Sequence, residues 1–332
     1  GLYGSSRAFI ISEFFIKTLK PCVVVVPSDD EAEEFYRDLS FFLGRDLVNI
    51  YPSTETLPFE MLSPHPDIST SRLNTIYRLI KNDIGVLVTT PQAIMQRVIP
   101  KAVFDGYIRH IKTGLEIDRE KLIEDLAQMG YLRTALVGEI GEISIRGGIL
   151  DIFTPVYSKP VRMEFFGSEV ESIRFFDPDT QRTLKTWDNG QGAGGRDDTL
   201  KEVIVIPCKE IILNNETKTR AVKRLKERAN ELELQRDATY TISERISSNI
   251  HFSGIESLMP LFYEEAESIF SYIAKGTELF IIDKQRALDE MDKFTKEVLE
   301  MERKMETKGQ FFVNPSELYL SKEEVIPELA NM

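Results

Sequence analysis

At 332 residues the chain is longer than one ordinary hydrophobic core supports, so two domains, or three, are expected. A hydrophobic content of 42% and a charged content of 29% are those of a soluble globular protein. The net charge of -13 argues against a chain whose main task is to hold nucleic acid, because phosphate binding needs a positive surface, although a local basic patch stays open. Cys22 and Cys208 lie far apart with no metal or redox spacing, and His65, His110 and His251 are scattered, so neither a disulfide framework nor a metal site is expected. No run approaches the roughly 18 apolar residues of a membrane span, and no charged-then-apolar leader is visible. A cytoplasmic protein with no membrane partner is the expectation.

In chain order, G-L-Y-G-S-S-R-A leads into an apolar-periodic helix to about Leu19, and P-C-V-V-V-V-P reads as a buried parallel strand. An acidic-started amphipathic helix follows over Asp29–Leu43, then a short strand from Leu47 to Tyr51. A Pro-rich irregular stretch precedes a helix from about Ile68 to Lys81. Gly85 to Thr90 is another buried strand, and P-Q-A-I-M-Q-R-V-I reads as a helix with Pro91 in its first turn. Residues 1–100 therefore make much of a doubly wound sheet.

The character changes near Pro100. From about 101 to 210 strands alternate with frequent turns, and one helix, REKLIEDLAQMG, starts at the cap Asp118 and stops at Gly130. This reads as a small α+β domain inserted into the first. Within it, Glu142–Asp177 is an antiparallel meander of three apolar runs with two tight connections. In V-R-M-E-F-F the period-2 alternation puts Val161, Met163 and Phe165 on a core face and Arg162, Glu164 and Phe166 on the other. Arg with an exposed aromatic is the composition of an interface hot spot. Arg146 joins that face if Gly147-Gly148 form a bulge that re-aims it. The alternative is that Phe166 is the edge of the core and both arginines are surface charges. Four glycines lie between Gly190 and Gly195, making a flexible loop with Trp187 at its root. Beyond Glu210 the chain turns helical and charged, with one apolar strand at ELFIID and a last recognisable helix at about Lys284–Lys308.

Two places bear on nucleotide chemistry. A P-loop needs G-x-x-x-x-G-K-[ST], with backbone N–H groups for the phosphates, a Lys for the β and γ phosphates and a hydroxyl for Mg²⁺. Gly1-Leu2-Tyr3-Gly4-Ser5-Ser6-Arg7-Ala8 keeps the spacing and loses the substance. Ser6 replaces the second glycine, Arg7 the lysine, and Ala8 brings no oxygen for the metal. Leu279–Asp283 has the apolar strand and terminal Asp of a Walker B element, but Lys284 stands where a hydrolytic enzyme has its acidic residue. Read without a function, ELFIID is an ordinary strand ending at a polar residue. No catalytic residue, metal or cofactor is assigned, and no Ser-His-Asp, Cys-His or paired-carboxylate arrangement stands out.

Y-P-S-T-E-T-L-P-F-E-M-L-S-P-H-P-D-I-S-T-S-R-L, V-T-T-P-Q-A-I-M-Q-R-V, R-G-G-I-L-D-I-F-T-P and F-F-D-P-D-T-Q-R-T-L resemble the amino-terminal module of the bacterial transcription-repair coupling factors (Mfd), similar in turn to the first domains of the repair helicase UvrB. The resemblance covers nearly all of the chain. It implies an α/β fold: a degenerate RecA-like, P-loop helicase-derived parallel-sheet domain at about 1–100 and 211–332, with the α+β domain inserted at about 101–210. It implies a non-enzymatic module that has lost its ATP site and that recruits the damage-recognition ATPase UvrA, with Arg146, Arg162 and Phe166 at the binding positions. RNA polymerase and DNA would be engaged through family domains beyond Met332. The glycine-rich Asn189–Asp198 departs from the family pattern, and the start at the P-loop remnant, without a leading strand, is expected of a fragment. The alternative function is a DNA-engaging helicase domain like that of UvrB. Such proteins carry a long aromatic hairpin between the positions of Tyr51 and Arg72, where this sequence has a short Pro-rich connection.

Overall fold

The computed structural model describes residues 4–56, 59–60, 62–184, 199–235 and 237–332. The chain divides into two compact units, one of residues 1–101 with 216–332 and one of residues 102–215.

The first unit opens with α1 (Ser6–Thr18), β1 (Cys22–Val25), α2 (Asp29–Leu43), β2 (Val48–Tyr51), α3 (Pro66–Ile80) and β3 (Val86–Thr89). Every residue of β1 and β3 is buried, as a continuous apolar run between two covering layers requires. The Ser28 hydroxyl accepts from the Glu31 N–H, and Asp29, Asp30 and Glu31 put negative charge on the first turn of α2. Ala8, Ile11 and Phe15 of α1 and Ala32, Phe35 and Leu39 of α2 pack into one core with Val24, Val48, Val86 and Val88. After β3 the Thr90 hydroxyl caps α4 (Pro91–Met95). The helix expected through Ile99 stops there, because Arg97–Val98 extends as β4.

The second unit contains α5 (Lys101–Gly106), β5 (Arg109–Lys112), α6 (Arg119–Gln128), β6 (Leu132–Arg133), β7 (Glu142–Arg146), β8 (Ile149–Ile152), β9 (Val161–Phe166), β10 (Glu169–Phe175) and β11 (Glu202–Val205). Strands β10-β9-β8-β7-β6 form one sheet, antiparallel except for β6 with β7, and β5 pairs with β11. The meander thus has four strands where three runs were expected. Gly147-Gly148 is a two-residue hairpin loop, with Arg146 paired to Ile149, and not a bulge. Gly147 has φ +55, and a Cβ on Gly148 would come within 2.8 Å of the Phe165 carbonyl oxygen, so both positions need glycine.

The first unit resumes with α7 (Asn215–Glu231), α8 (Asp237–Ser247), α9 (Met259–Phe262), β12 (Glu267–Ser268), β13 (Glu278–Ile281), α10 (Lys284–Lys308), α11 (Pro315–Leu318) and α12 (Lys322–Ala330). Strand β12 pairs with β4. Strand β13 completes a four-stranded parallel sheet in the order β13-β1-β3-β2, so the α/β class expected from the sequence is the one adopted. Lys308 does not end the last helix of the chain: α11 and α12 follow, the latter started by a capping box of Ser321 and Glu324. No helix among the described residues is long and apolar enough to cross a membrane.

Candidate functional site

Strand β9 alternates as its sequence requires. Val161, Met163 and Phe165 are buried, Arg162 and Glu164 are half-buried, and Phe166 is 79% exposed. Phe166 stands at the tip of the β9–β10 hairpin, where Gly167 at φ +63 makes the turn to Glu169. A phenylalanine so placed contributes little to the core.

The two arginines are organised by a residue the sequence reading passed over. Asp151 in β8 is fully buried. Its Cα partner across β9 is Arg162, whose Nε donates to one carboxylate oxygen at 2.7 Å and whose Nη2 donates to the other at 2.9 Å. Arg146 Nη2 donates to the same carboxylate at 2.6 Å. Arg162 also donates from Nη1 to the Gln181 carbonyl at 3.3 Å, and its guanidinium lies 4.7 Å from the centre of the Phe176 ring. Phe176 packs with Val137 and Phe153 in a small cluster. The Arg162 side chain is therefore only 16% exposed, while that of Arg146 is 42% exposed. The hydrogen bond to Asp151 holds the Arg162 guanidinium above its ordinary pKa, against its burial, and the charges of Asp151 and Glu164 add to that.

The sequence shows that Asp151 is a carboxylate in an apolar run, but not which side chains meet it. A carboxylate at the alternate position of an apolar strand run must be paired if buried, and arginines on the two adjoining strands are the natural partners.

The register fixes how these residues are spaced on the face. Arg162 is four residues before Phe166, about 13 Å along the strand, so two free guanidinium forks do not flank the phenylalanine. Arg146 and Phe166 lie toward the same end of the face: Arg146, Ile149 and Glu164 are in register across β7, β8 and β9, with Phe166 two residues further. Sheet spacings put their Cα atoms about 12 Å apart. Arg174 lies on the adjacent β10, directly opposite Arg162, and its Nη1 donates to Glu164 at 2.9 Å. A hydrogen bond from the Ser172 hydroxyl, with the charge of Arg174, holds the Glu164 carboxyl below its ordinary pKa despite partial burial.

Of the residues compared with a P-loop in the sequence, Gly1 lies outside the described residues; elsewhere in the chain, so do Trp187 and the loop Asn189–Asp198. Gly4 has φ +55 and precedes Ser6 and Arg7 at the start of α1. Ala8 is buried in the core with residues of β1 and α2. Asp283 follows β13 in a left-handed conformation, φ +52, and its carboxylate accepts from the Arg286 N–H to cap α10 at Lys284. Arg286 in turn pairs with Glu31 at 2.7 Å. These residues serve the ends of helices.

Arg72 was also overlooked as a structural residue. It is 2% exposed within α3, lies over the Tyr51 ring at 4.4 Å and donates to the Pro52 carbonyl at 2.8 Å. It fastens the beginning of the Pro-rich connection. Among the described residues of that connection, 52–65, there is no strand.

Residues 110–191 match the UvrB interaction domain family. Over 98% of its length the chain is 31% identical to the transcription-repair-coupling factor of Myxococcus xanthus, covering 27% of that protein. It is 29% identical over 99% of its length to that of Escherichia coli (strain K12), covering 27%, and 30% identical over 88% to that of Bacillus subtilis (strain 168), covering 24%. The chain thus spans about a quarter of the length of the curated relatives it matches. Over nearly its whole length the chain is therefore similar to one part of the transcription-repair-coupling factors, and it includes the match to the UvrB interaction domain family.

Proposed function

We propose that this chain is a protein-interaction module of transcription-coupled nucleotide excision repair that docks UvrA on the outer face of β7–β9, without catalysis of its own. The observation that carries the reading is Phe166: a large aromatic 79% exposed at a hairpin tip, on the same sheet face as two arginines fixed by one buried carboxylate. A rigid aromatic anchor beside an oriented guanidinium is the kind of feature that supplies most of the energy of a protein interface. The match of residues 110–191 to the UvrB interaction domain family supports an interaction role for this part of the chain.

We read the discontinuous unit as a degenerate RecA-like domain whose nucleotide site is lost. Its four-stranded parallel sheet supports that ancestry. The loss is supported by buried Ala8, by Arg7 in the lysine position and by Asp283 and Lys284 starting a helix. RNA polymerase and DNA are assigned to the remaining three-quarters of the relatives' length. The helicase-like alternative finds no supporting feature, since the connection after Tyr51 has no strand among its described residues and the net charge is -13. Capture of purified UvrA by the immobilised chain, with and without nucleotide, tests the proposal. Nucleotide-independent binding by this chain is expected, and no capture at micromolar concentrations would contradict it.

A further inference from the structure

The arrangement around Asp151 assigns different tasks to the two arginines. Arg162 gives the whole side of its fork, Nε and Nη2, to Asp151, gives Nη1 to the Gln181 carbonyl, and stacks on Phe176. Little of it is left to meet another molecule. Arg146 gives Asp151 only Nη2, and its Nε and Nη1 have no bonded partner among the described residues. The charge of the cluster is +1, since one carboxylate sits between two guanidinium groups, and the neighbouring Arg174–Glu164 pair is neutral.

We infer that Asp151 is a positioning residue of the docking face. It locks Arg162 as an internal pillar and fixes Arg146 as the one guanidinium offered to the partner. This rests on the docking reading above and deepens it by naming the partner's chemistry. The partner presents a single carboxylate to Arg146, and about 12 Å away an apolar socket for Phe166. The loop that the cluster holds is part of the device: Gln181 donates through its side chain to the Val137 carbonyl, so the Arg162 contact at the Gln181 carbonyl ties two covering segments to the sheet.

The inference makes a prediction of opposite sign to the simpler view. If both arginines met an acidic partner directly, Asp151 would be a competing negative charge, and Asp151→Asn would leave UvrA affinity unchanged or raise it. If Asp151 positions Arg146, the same substitution lowers affinity by roughly tenfold or more, even though it removes a negative charge from the face. A double-mutant cycle separates positioning from a general structural role. In an Arg146→Ala background, Asp151→Asn is expected to cost much less affinity than in the parent, whereas general damage to the fold would cost the same in both backgrounds.

Should Asp151→Asn fail to fold, Arg162→Lys carries the test, because lysine keeps the charge for a direct contact but cannot make the two-pronged bond. A loss of roughly tenfold or more is expected, and parental affinity overturns the inference. The parent chain and Phe166→Ala are measured alongside. If the parent binds UvrA and Phe166→Ala does not, the docking reading stands, and the Asp151 variants judge the positioning role alone. If the parent does not bind, it is the docking reading that has failed.

Discussion

The outer face of β7–β9 and the start of α1 with the end of β13 are both places where the sequence sets chemistry-bearing residues, and they have been resolved in opposite ways. In the first, two arginines converge on one buried aspartate, and an aromatic that the core does not use stays exposed beside them. In the second, each residue is absorbed by local structure. Ala8 is core, Asp283 is a helix cap, and Arg286 pairs with the side of α2 through Glu31. We therefore propose that the first is a docking face, because it keeps an exposed anchor that folding does not call for, and that the second has lost any nucleotide site, because local folding accounts for these groups.

The largest effect that would sharpen this contrast is expected from Arg162→Ala. It removes the two-pronged partner of a fully buried carboxylate and leaves only Arg146 to compensate, so unfolding free energy should fall by about 3 kcal/mol along with UvrA binding. Denaturant unfolding of the variant checks it, and parental stability would place Arg162 among ordinary surface charges. Arg146→Ala is expected to lower UvrA affinity by about thirtyfold while changing stability by less than about 1 kcal/mol, because Asp151 keeps Arg162. Titration of UvrA and unfolding of the same preparation separate the two effects. Arg174→Ala, whose partner Glu164 is outside the cluster, should change affinity much less.

How much of this was legible follows from where each residue's constraint lies. The alternation in β9 identifies Phe166 as outward because that parity is a property of the strand alone. The buried parallel strands, the acidic start of α2, the cap Asp118 and the stop at Gly130 are local signals of the same kind. Asp151 was hidden because its partners come from two other strands, and nothing in I-L-D-I-F states which side chains will face it. Gly147-Gly148 suits a bulge or a hairpin equally, and only the pairing of Arg146 with Ile149 decides. Arg72 looked like one more charge on a helix, although it is buried against Tyr51 of a strand some twenty residues earlier. The helix expected after Pro91 was cut short by pairing of β4 with β12, a partner distant in sequence.

Smaller effects bear on the other half of the comparison. Asp283→Ala should cost about 1 kcal/mol of stability through the lost cap and should leave nucleotide affinity unchanged. Mg-ATP is expected to bind the parent no better than background, because the lysine and hydroxyl that hold its phosphates and metal are missing. Calorimetric titration showing micromolar affinity would restore a working site to the start of α1.

The smallest expected effect is the pH dependence attached to Glu164. Its folded pKa is held below the ordinary carboxylate value of about 4.3, so the folded state binds this proton less readily than the unfolded chain. The stability it contributes is present above the unfolded pKa and is lost as pH falls through the folded value. Glu164→Gln should flatten the acid limb of the stability profile slightly, as suits a partly exposed pair.

The central claim, that the outer face of the sheet is a docking surface and not the edge of a core, is tested most directly by Phe166→Ala. UvrA is titrated into the parent and the variant, and both proteins are unfolded in denaturant. An exposed anchor predicts a loss of about 2 kcal/mol in binding, roughly thirtyfold, with unfolding free energy unchanged within about 0.5 kcal/mol. A variant that binds UvrA like the parent, or one that loses the 3–5 kcal/mol of folding free energy typical of a truncated core phenylalanine, would contradict it.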